Sequence, residues 1–213
     1  MLKLDNVTLI SMSSIDLTGT IRAMRQSMEG VTYGDVKLIT HEDIELSDIK
    51  TCKIDQINGL DEYSYNMIYK LEHYVETDFV LVVQADGYVL NPEMWQDCFL
   101  DYDYIGAPFP MPNDNFTFRN SEGELFRVGN GGFSLRSRKL IKLANQLELE
   151  WKAFHGFYNE DGFISVNNRR IYEKAGCRFA PVDVAKYFSH ESEIPEIQNI
   201  KPFGFHGKRS KYL

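Results

Sequence analysis

The sequence has no long apolar run and few cysteines. No apolar stretch approaches the roughly 20 residues that span a bilayer, and residues 1–6 lack the apolar core of a signal peptide. The cysteines, which are Cys52, Cys98 and Cys177, are odd in number and lack the spacing of a metal site. We therefore expect a cytoplasmic protein with reduced thiols and no transmembrane segment.

An excess of basic residues is also absent. The chain has 23 Lys and Arg against 31 Asp and Glu, a net charge of −8. General binding to nucleic acid needs a basic face, so nucleic acid is not an expected partner. What is present is ordinary for a globular protein: 213 residues with 43% apolar side chains, enough for one full core. Without internal repeats or a linker, the sequence predicts a single domain over residues 1–213.

The apolar pattern predicts an α/β fold. Residues 7–12, 36–40 and 79–83 read as strands, and Leu17 begins a face of apolar side chains at helical spacing. The order strand, helix, strand predicts a right-handed crossover between parallel strands. Further predictions are loop with short pieces over 41–62, a helical face over 67–75, short strands near 104–108 and 126–128, a mobile loop over 108–124, helices starting near Ser137 and after Asp161, and a tail from Ile194 without a helix pattern.

The strand over 79–83 ends at Gln84, Ala85, Asp86 and Gly87. A buried strand that delivers one carboxylate at its C-terminal end places it where α/β sheets bind ligands. Mg²⁺ or Mn²⁺ prefers carboxylate oxygens and can neutralise a diphosphate. We expect Asp86 to hold such an ion; the alternative is a plain turn, since Asp-Gly is a common turn pair.

Residues 129–134 contain three glycines and one asparagine, which allow close backbone approach and positive φ angles. The segment lacks the order of a phosphate loop. Gly131 and Gly132 are therefore candidates for lining a ligand pocket, and a flexible hairpin loop is the alternative.

Two carboxylates, Glu160 and Asp161, precede a predicted helix. One of them can act as a general base while the other supports it. The alternative is a pair of acids that favour the helix dipole.

A last segment, residues 203–208, holds His206 and Lys208. His206 is a candidate metal ligand and Lys208 a candidate phosphate contact. A disordered polar tail is the alternative, and His190 is a competing histidine that is expected at the surface.

Taken together, these motifs resemble the GT-A class of glycosyltransferases over roughly residues 6–208. The order is most similar to a small bacterial group known largely as a domain of unknown function. Residues 84–86 occupy the Asp-x-Asp position, 129–134 resemble the segment that shapes the sugar pocket, Asp161 matches the inverting base, and 205–208 are similar to the late metal-binding histidine segment. The resemblance also implies nucleotide contacts at Ser11, Met12, Ser13 and Thr40.

The implied fold is a GT-A-like, Rossmann-type mixed sheet flanked by helices, with a nucleotide-binding half over about 1–105 and an acceptor half over about 106–213. The implied activity is metal-assisted transfer of a sugar from a nucleotide-diphosphate donor to a glycan or glycoconjugate, in polysaccharide biosynthesis. A lipid-linked acceptor would bring peripheral membrane contact, and residues 113–118 are a candidate acceptor lid.

The chain departs from this class at Gln84, which replaces the first acid of Asp-x-Asp. The departure keeps a non-catalytic carbohydrate- or nucleotide-binding module open as an alternative. A nucleotidyltransferase is a further alternative, although residues 11–16 contain neither Gly nor Lys.

Overall fold

A central mixed sheet of six strands, in the order β3-β2-β1-β4-β7-β6, organises the protein. The computed structural model describes residues 1–152 and 159–207. The strands are β1 (Leu2–Met12), β2 (Val31–Thr40), β3 (Lys50–Lys53), β4 (Phe79–Val83), β5 (Gly87–Val89), β6 (Tyr104–Ile105), β7 (Phe133–Ser137), β8 (Ser189–His190) and β9 (Gly204–His206). The α-helices are α1 (Leu17–Met28), α2 (Leu60–Tyr69), α3 (Arg138–Gln146), α4 (Glu160–Gly162), α5 (Arg169–Lys174) and α6 (Val182–Phe188).

Short 3-10 helices complete the list: Leu71–Tyr74, Pro92–Met94, Asp97–Asp101 and Pro195–Ile197. A π-helical segment, Phe163–Asn167, joins α4 to α5. The predicted helix after Asp161 is therefore present as three consecutive pieces. In the part of the chain that the structure describes, no helix is long and apolar enough to cross a membrane.

Strands β1, β2, β3 and β4 run parallel, whereas β7 is antiparallel to both β4 and β6. Strand β4 is buried on both faces, as its unbroken apolar sequence predicted. Val80 and Val82 pack on one side of the sheet, and Leu81 and Val83 pack on the other. The predicted mixed sheet flanked by helices is confirmed.

Helix α1 covers the interval that its apolar spacing predicted. It begins after Asp16, whose side chain accepts a hydrogen bond from the backbone N–H of Gly19 at 2.9 Å. Met24 is fully buried against the sheet. Helix α3 begins in the same way, because the Ser137 side chain accepts from the N–H of Leu140 at 3.0 Å.

A second sheet has three strands in the order β5-β9-β8, and its first strand, β5, follows β4 in the chain. Strand β9 falls in the tail that the sequence left without an element, so the alternative of a disordered tail is wrong for residues 204–206. Three residues, one of them glycine, are too few to show the alternation of apolar and polar side chains that predicts a strand. The β5–β9 register places His206 opposite Gly87, next to Asp86 in the chain.

Other predictions fail where local patterns were weak. The predicted strand over 126–128 forms only isolated bridges, such as Pro108 with Val128. The interval 41–62 contains β3 and the start of α2, in line with the predicted loop with short pieces, whereas α6 was not predicted. The irregular segment 108–128 has its own small core, in which Phe109, Phe126 and Val166 are buried and Phe118 stacks on Phe109.

Candidate active site

A cleft of about 420 Å³ opens at the C-terminal ends of β1 and β4. The chain leaves β1 toward β2 on one side, while β4 lies on the other side. This reversal is the position at which open α/β sheets bind ligands. The cleft is lined by Met12, Ser13, Ser14, Ile15, Asp16, Thr20, Ile57, Asn58, Gly59, Leu60, Tyr63, Gln84, Ala85 and Asp86.

The cleft walls are largely apolar. Ile15 and Leu60 are strongly exposed at the cleft, with 95% and 61% of their surface accessible. Among the lining residues of the described chain there is no Lys or Arg. The walls therefore offer mainly apolar contacts, and the described lining carries no Lys or Arg that could balance an anionic ligand.

Four of the predicted nucleotide-binding residues, Met12, Ser13, Gln84 and Asp86, line the cleft. Ser11 and Thr40 do not belong to the lining. The Ser11 hydroxyl donates to the carbonyl of Val83 at 2.7 Å and is fully buried between β1 and β4. Thr40 is likewise buried at the end of β2. Lys208 lies outside the described residues, and all of these ligand contacts stay predictions.

Asp86 and His206 meet at the edge of the cleft. Asp86 lies in a tight turn closed by two backbone hydrogen bonds between Gln84 and Gly87, so the expected turn geometry is present. Its Oδ1 lies 3.4 Å from Nε2 of His206, and 44% of its side chain is exposed. The side-chain oxygen of Gln84 lies 3.1 Å from the same nitrogen.

The residue types and their spacing fit a hard divalent cation. Two neighbouring ligands of an octahedral ion lie about 3 Å apart, close to the Nε2–Oδ1 distance here. Within residues 1–152 and 159–207, no group of three or more His, Cys, Asp or Glu side chains is arranged to hold an ion. A bound ion would therefore draw its other ligands from water and substrate phosphate, as Mg²⁺ commonly does.

The imidazole of His206 sits between acids. Burial lowers its pKa, but hydrogen bonds to Asp86 and Glu191 outweigh burial and raise the pKa to about 9. Glu191 approaches the other ring nitrogen, Nδ1, at 3.3 Å. A cation at Nε2 would have to replace a proton there.

Gly131 and Gly132 each lie against a side chain of the site. A Cβ on Gly132 would lie 2.1 Å from Nε2 of His206, and one on Gly131 would lie 1.8 Å from Oε1 of Glu160. A side chain at Gly131 would therefore have to displace Glu160, and one at Gly132 would have to displace His206. The positive φ that this segment was predicted to contain belongs to Asn130, at 60°.

Glu160 is buried in an ion pair with Arg136. The Arg136 Nη2 lies 3.2 Å from Oε1 of Glu160, and both side chains are almost inaccessible. Arg136 also donates to the hydroxyl of Ser134 and the carbonyl of Gly131. Glu160 is thus tied to the glycine segment, which fits the supporting role that one of the two acids was expected to have.

Asp161 follows Glu160 in the same short helix, and among the described residues Arg136 is the cation whose charge acts on it. Burial and the neighbouring charge of Glu160 raise its pKa to about 7. The π-helical segment follows at once, and the Ser165 hydroxyl donates to the carbonyl of Asp161 at 2.6 Å. Because π-helical turns are frequent at functional sites, the π-helical segment next to Glu160 and Asp161 supports a functional role for these two acids.

Tyr63 connects the acids to the cleft. Its ring lines the cleft, and its hydroxyl accepts a hydrogen bond from the Gln84 amide at 2.8 Å. Burial raises the pKa of Tyr63, and the nearby charges of Glu160 and Asp161 raise it further. Helix α2, which carries Tyr63, lies against α4, which carries both carboxylates.

Sequence reasoning missed Tyr63, Arg136 and Glu191. Arg136 carried a signal, since a charged side chain in a short apolar strand needs a buried partner. Tyr63 and Glu191 carried none, because only the fold brings them to the site. His190, expected at the surface, is buried and contacts the carbonyl of Lys186 through Nε2 at 2.8 Å.

Comparison with solved structures shows the fold of the chain. A glycosyltransferase involved in the glycosylation of the major capsid of PBCV-1 aligns with a TM-score of 0.53 and 12% identity, covering 97% of this chain and 96% of its own. An active-site mutant of LgtC aligns with a TM-score of 0.53 and 12% identity, covering 93% and 86%. No curated protein matches the sequence.

A family described as "Protein of unknown function (DUF5672)" matches residues 45–206. The matched interval includes Asp86, the glycine segment, Glu160, Asp161 and His206, and it covers more than half of the chain. The protein belongs to this family.

Proposed function

We propose that the protein is a glycosyltransferase that moves a sugar from a nucleotide-diphosphate donor to a glycan or glycoconjugate acceptor. The observation that carries the proposal is the meeting of Asp86 and His206, 3.4 Å apart, at a cleft on the switch point of the sheet. Similarity in fold to a glycosyltransferase supports it. Asp161 is the proposed base, and the reaction is inverting.

On the donor side, the apolar walls of the cleft, which include Met12 and Ser13, accept the nucleoside. The diphosphate then lies toward Asp86, where the cleft lining offers no Lys or Arg among the described residues. Asp86 and His206 are the residues that would hold Mn²⁺ or Mg²⁺. The ion, when bound, neutralises the charge that develops on the departing nucleoside diphosphate.

On the acceptor side, Asp161 takes the proton of the acceptor hydroxyl. The acceptor oxygen forms a bond to the anomeric carbon as the bond from that carbon to the diphosphate oxygen breaks. A pKa of about 7 keeps Asp161 available both to accept and later to release the proton near neutral pH. Arg136 holds Glu160 so that its carboxylate stays beside the base.

A non-catalytic binding module is the second candidate, and Gln84 favours it. The amide replaces a carboxylate and is itself engaged by Tyr63 and His206. Such a module would bind a nucleotide sugar without cleaving it. The raised pKa of Asp161 favours the enzyme, because a binding protein has no need of a poised base.

The test is a panel of nucleoside diphosphates and nucleotide sugars, each with Mn²⁺, Mg²⁺ or EDTA. We expect one nucleotide to raise the melting temperature only with metal, and the matching nucleotide sugar to release nucleoside diphosphate slowly. Binding without release would favour the binding module. The absence of a shift with every nucleotide would exclude both.

We place the reaction in the cytoplasm, in polysaccharide or glycoconjugate assembly. A lipid-linked acceptor would require the protein to meet a membrane surface peripherally. Vesicle flotation with and without a lipid-linked acceptor extract tests this part separately.

A further inference from the structure

We propose that Glu191 is a positioning residue for the metal side of the site: it holds Nδ1 of His206 and thereby presents Nε2 to Asp86. The inference rests on the proposed function, because it gives Asp86 and His206 the role of cation ligands. It adds a residue that the sequence motifs do not contain.

The geometry comes from the second sheet. Strands β8 and β9 are parallel neighbours, with His190 paired to Phe205. Glu191 directly follows β8, so it reaches the side of β9 on which His206 projects. Its Oε1 lies 3.3 Å from Nδ1, while Nε2 of the same ring lies 3.4 Å from Asp86.

A second residue, Asn130, competes for the same nitrogen. Its side-chain NH₂ lies 3.0 Å from Nδ1 of His206, and its Oδ1 accepts from the backbone N–H of Phe133. This second hydrogen bond fixes the amide with its NH₂ toward the ring. Asn130 therefore favours a bare Nδ1, whereas Glu191 favours a protonated Nδ1.

Only one of these arrangements serves a cation. A proton on Nδ1 leaves the lone pair on Nε2, the nitrogen that faces Asp86. A bare Nδ1 in the neutral ring puts the proton on Nε2, where it blocks the ion. Carboxylates that accept from the remote nitrogen of a ligating histidine act in this way at metal sites.

The ring has little room to escape this control. The backbone at Gly132 lies against Nε2, since a Cβ there would stand 2.1 Å away. Gly87 closes another side, with a hypothetical Cβ 2.9 Å from Cδ2 of the ring. Hydrogen bonds rather than rotation of the ring therefore set its orientation: Glu191 and Asn130 act at Nδ1. At Nε2 the side-chain oxygen of Gln84 lies 3.1 Å away, and a cation would have to displace that contact.

The experiment measures Mn²⁺ affinity of the full chain by isothermal titration and by the EPR signal of free Mn²⁺, without nucleotide and with each nucleoside diphosphate of the thermal-shift panel. Glu191→Ala should weaken Mn²⁺ binding about 10- to 100-fold, the usual effect of removing such a partner. Glu191→Gln, which keeps an acceptor oxygen and the side-chain shape, should retain more affinity than Glu191→Ala. Glu122→Ala, at an exposed site, is the matched control.

Asn130→Gly tests the competition. Glycine accepts the φ of 60° at this position, and the loss of the amide should leave Mn²⁺ affinity equal or tighter. A loss of affinity in Asn130→Gly together with wild-type affinity in Glu191→Ala would overturn the inference.

His206→Ala separates this inference from the proposed function. If His206→Ala binds Mn²⁺ as the wild type does, the proposed metal site itself is wrong. If His206→Ala loses Mn²⁺ binding and Glu191→Ala does not, the metal site stands and the role of Glu191 is wrong. Circular dichroism of each variant confirms folding before the titrations.

Discussion

Asp86 and Asp161 are the same chemical group in two different surroundings. Asp86 lies in a tight turn with 44% of its side chain exposed, beside an imidazole. Asp161 follows a buried ion pair, and burial together with Glu160 raises its pKa to about 7. The surroundings of each carboxylate therefore decide which chemistry it suits: the exposed Asp86 suits binding a cation, and the buried Asp161 suits accepting a proton.

The largest expected effect falls on the enclosed carboxylate. Asp161→Asn removes the proposed base while keeping the shape of the side chain. We expect sugar transfer to fall about 10²- to 10⁴-fold, with metal-dependent nucleotide binding unchanged. Product formation and thermal shift measured on the same preparation would check this. Equal activity of the variant would remove Asp161 from the mechanism.

The second-largest effect is expected at the buried ion pair between Arg136 and Glu160, the residue before Asp161. Arg136→Met leaves Glu160 as an uncompensated buried charge and should lower the free energy of unfolding by about 3–5 kcal/mol. Urea denaturation measures this. The double variant Arg136→Met with Glu160→Leu should recover much of the loss, because neither charge is then left alone.

If Arg136→Met lowers the free energy of unfolding by less than about 1 kcal/mol, the loss lies well below the range for a broken buried pair. The contrast between the enclosed surroundings of Asp161 and the open surroundings of Asp86 would then be unsupported. The loss of stability in Arg136→Met should also change little with salt concentration, since salt screens a buried ion pair much less than an exposed one.

A smaller effect is expected on the open side. With a nucleotide at about 100 times its Kd, binding adds about 2.7 kcal/mol to the free energy of unfolding. Asp86→Asn should lose most of the metal-dependent part of this gain and keep the stability of the free protein. Asp183→Asn, whose side chain is 89% exposed, is a matched control. A full metal-dependent shift in Asp86→Asn would make Asp86 a turn residue only.

A change of pH sharpens the comparison further. The pKa of Asp161 is raised above its ordinary value, so the folded protein keeps a proton that the unfolded chain releases between about pH 4 and 7. Stability should therefore fall as pH rises through this window, by at most one proton's slope, and level off above pH 7. Asp161→Asn should lack this component, while activity of the wild type should rise with pH through about 7.

An Asp161→Asn curve parallel to that of the wild type from pH 4 to 8 would contradict the raised pKa. Chemical denaturation at closely spaced pH values makes this measurement without any substrate.

Much of the parallel half could be predicted because its signals are local. Leu17 to Met28 carries the helical period, and residues 79–83 are apolar without interruption, so periodicity and composition were sufficient. Strand β9 could not be predicted, because Gly204, Phe205 and His206 become a strand only through partners more than 100 residues away or on β8. The short strand predicted at 126–128 does not form, because Phe126 packs in the small loop core whereas Val128 packs in the main core, with only an isolated bridge to Pro108.

The site divides in the same way. Asp86, Glu160, Asp161 and His206 stood out because polar residues interrupt or follow apolar patterns, and the structure brings His206 to Asp86. Their partners are invisible in sequence. The sequence identified Arg136 only as a charged residue in a strand. Glu191 follows β8 and contacts His206 on β9, and no local pattern predicts that these two strands pair.

The position of β9 has a consequence for how the chain is made. The six-stranded sheet is complete once Ser137 has been synthesised, yet β5 must wait for residues 204–206 before it gains its partner. Contacts over such separations form slowly, because a long loop must close first. On the ribosome the cleft between β1 and β4 can therefore form well before the imidazole arrives, so the nascent protein passes through a stage that has the proposed nucleotide cleft but lacks the histidine of its proposed cation site.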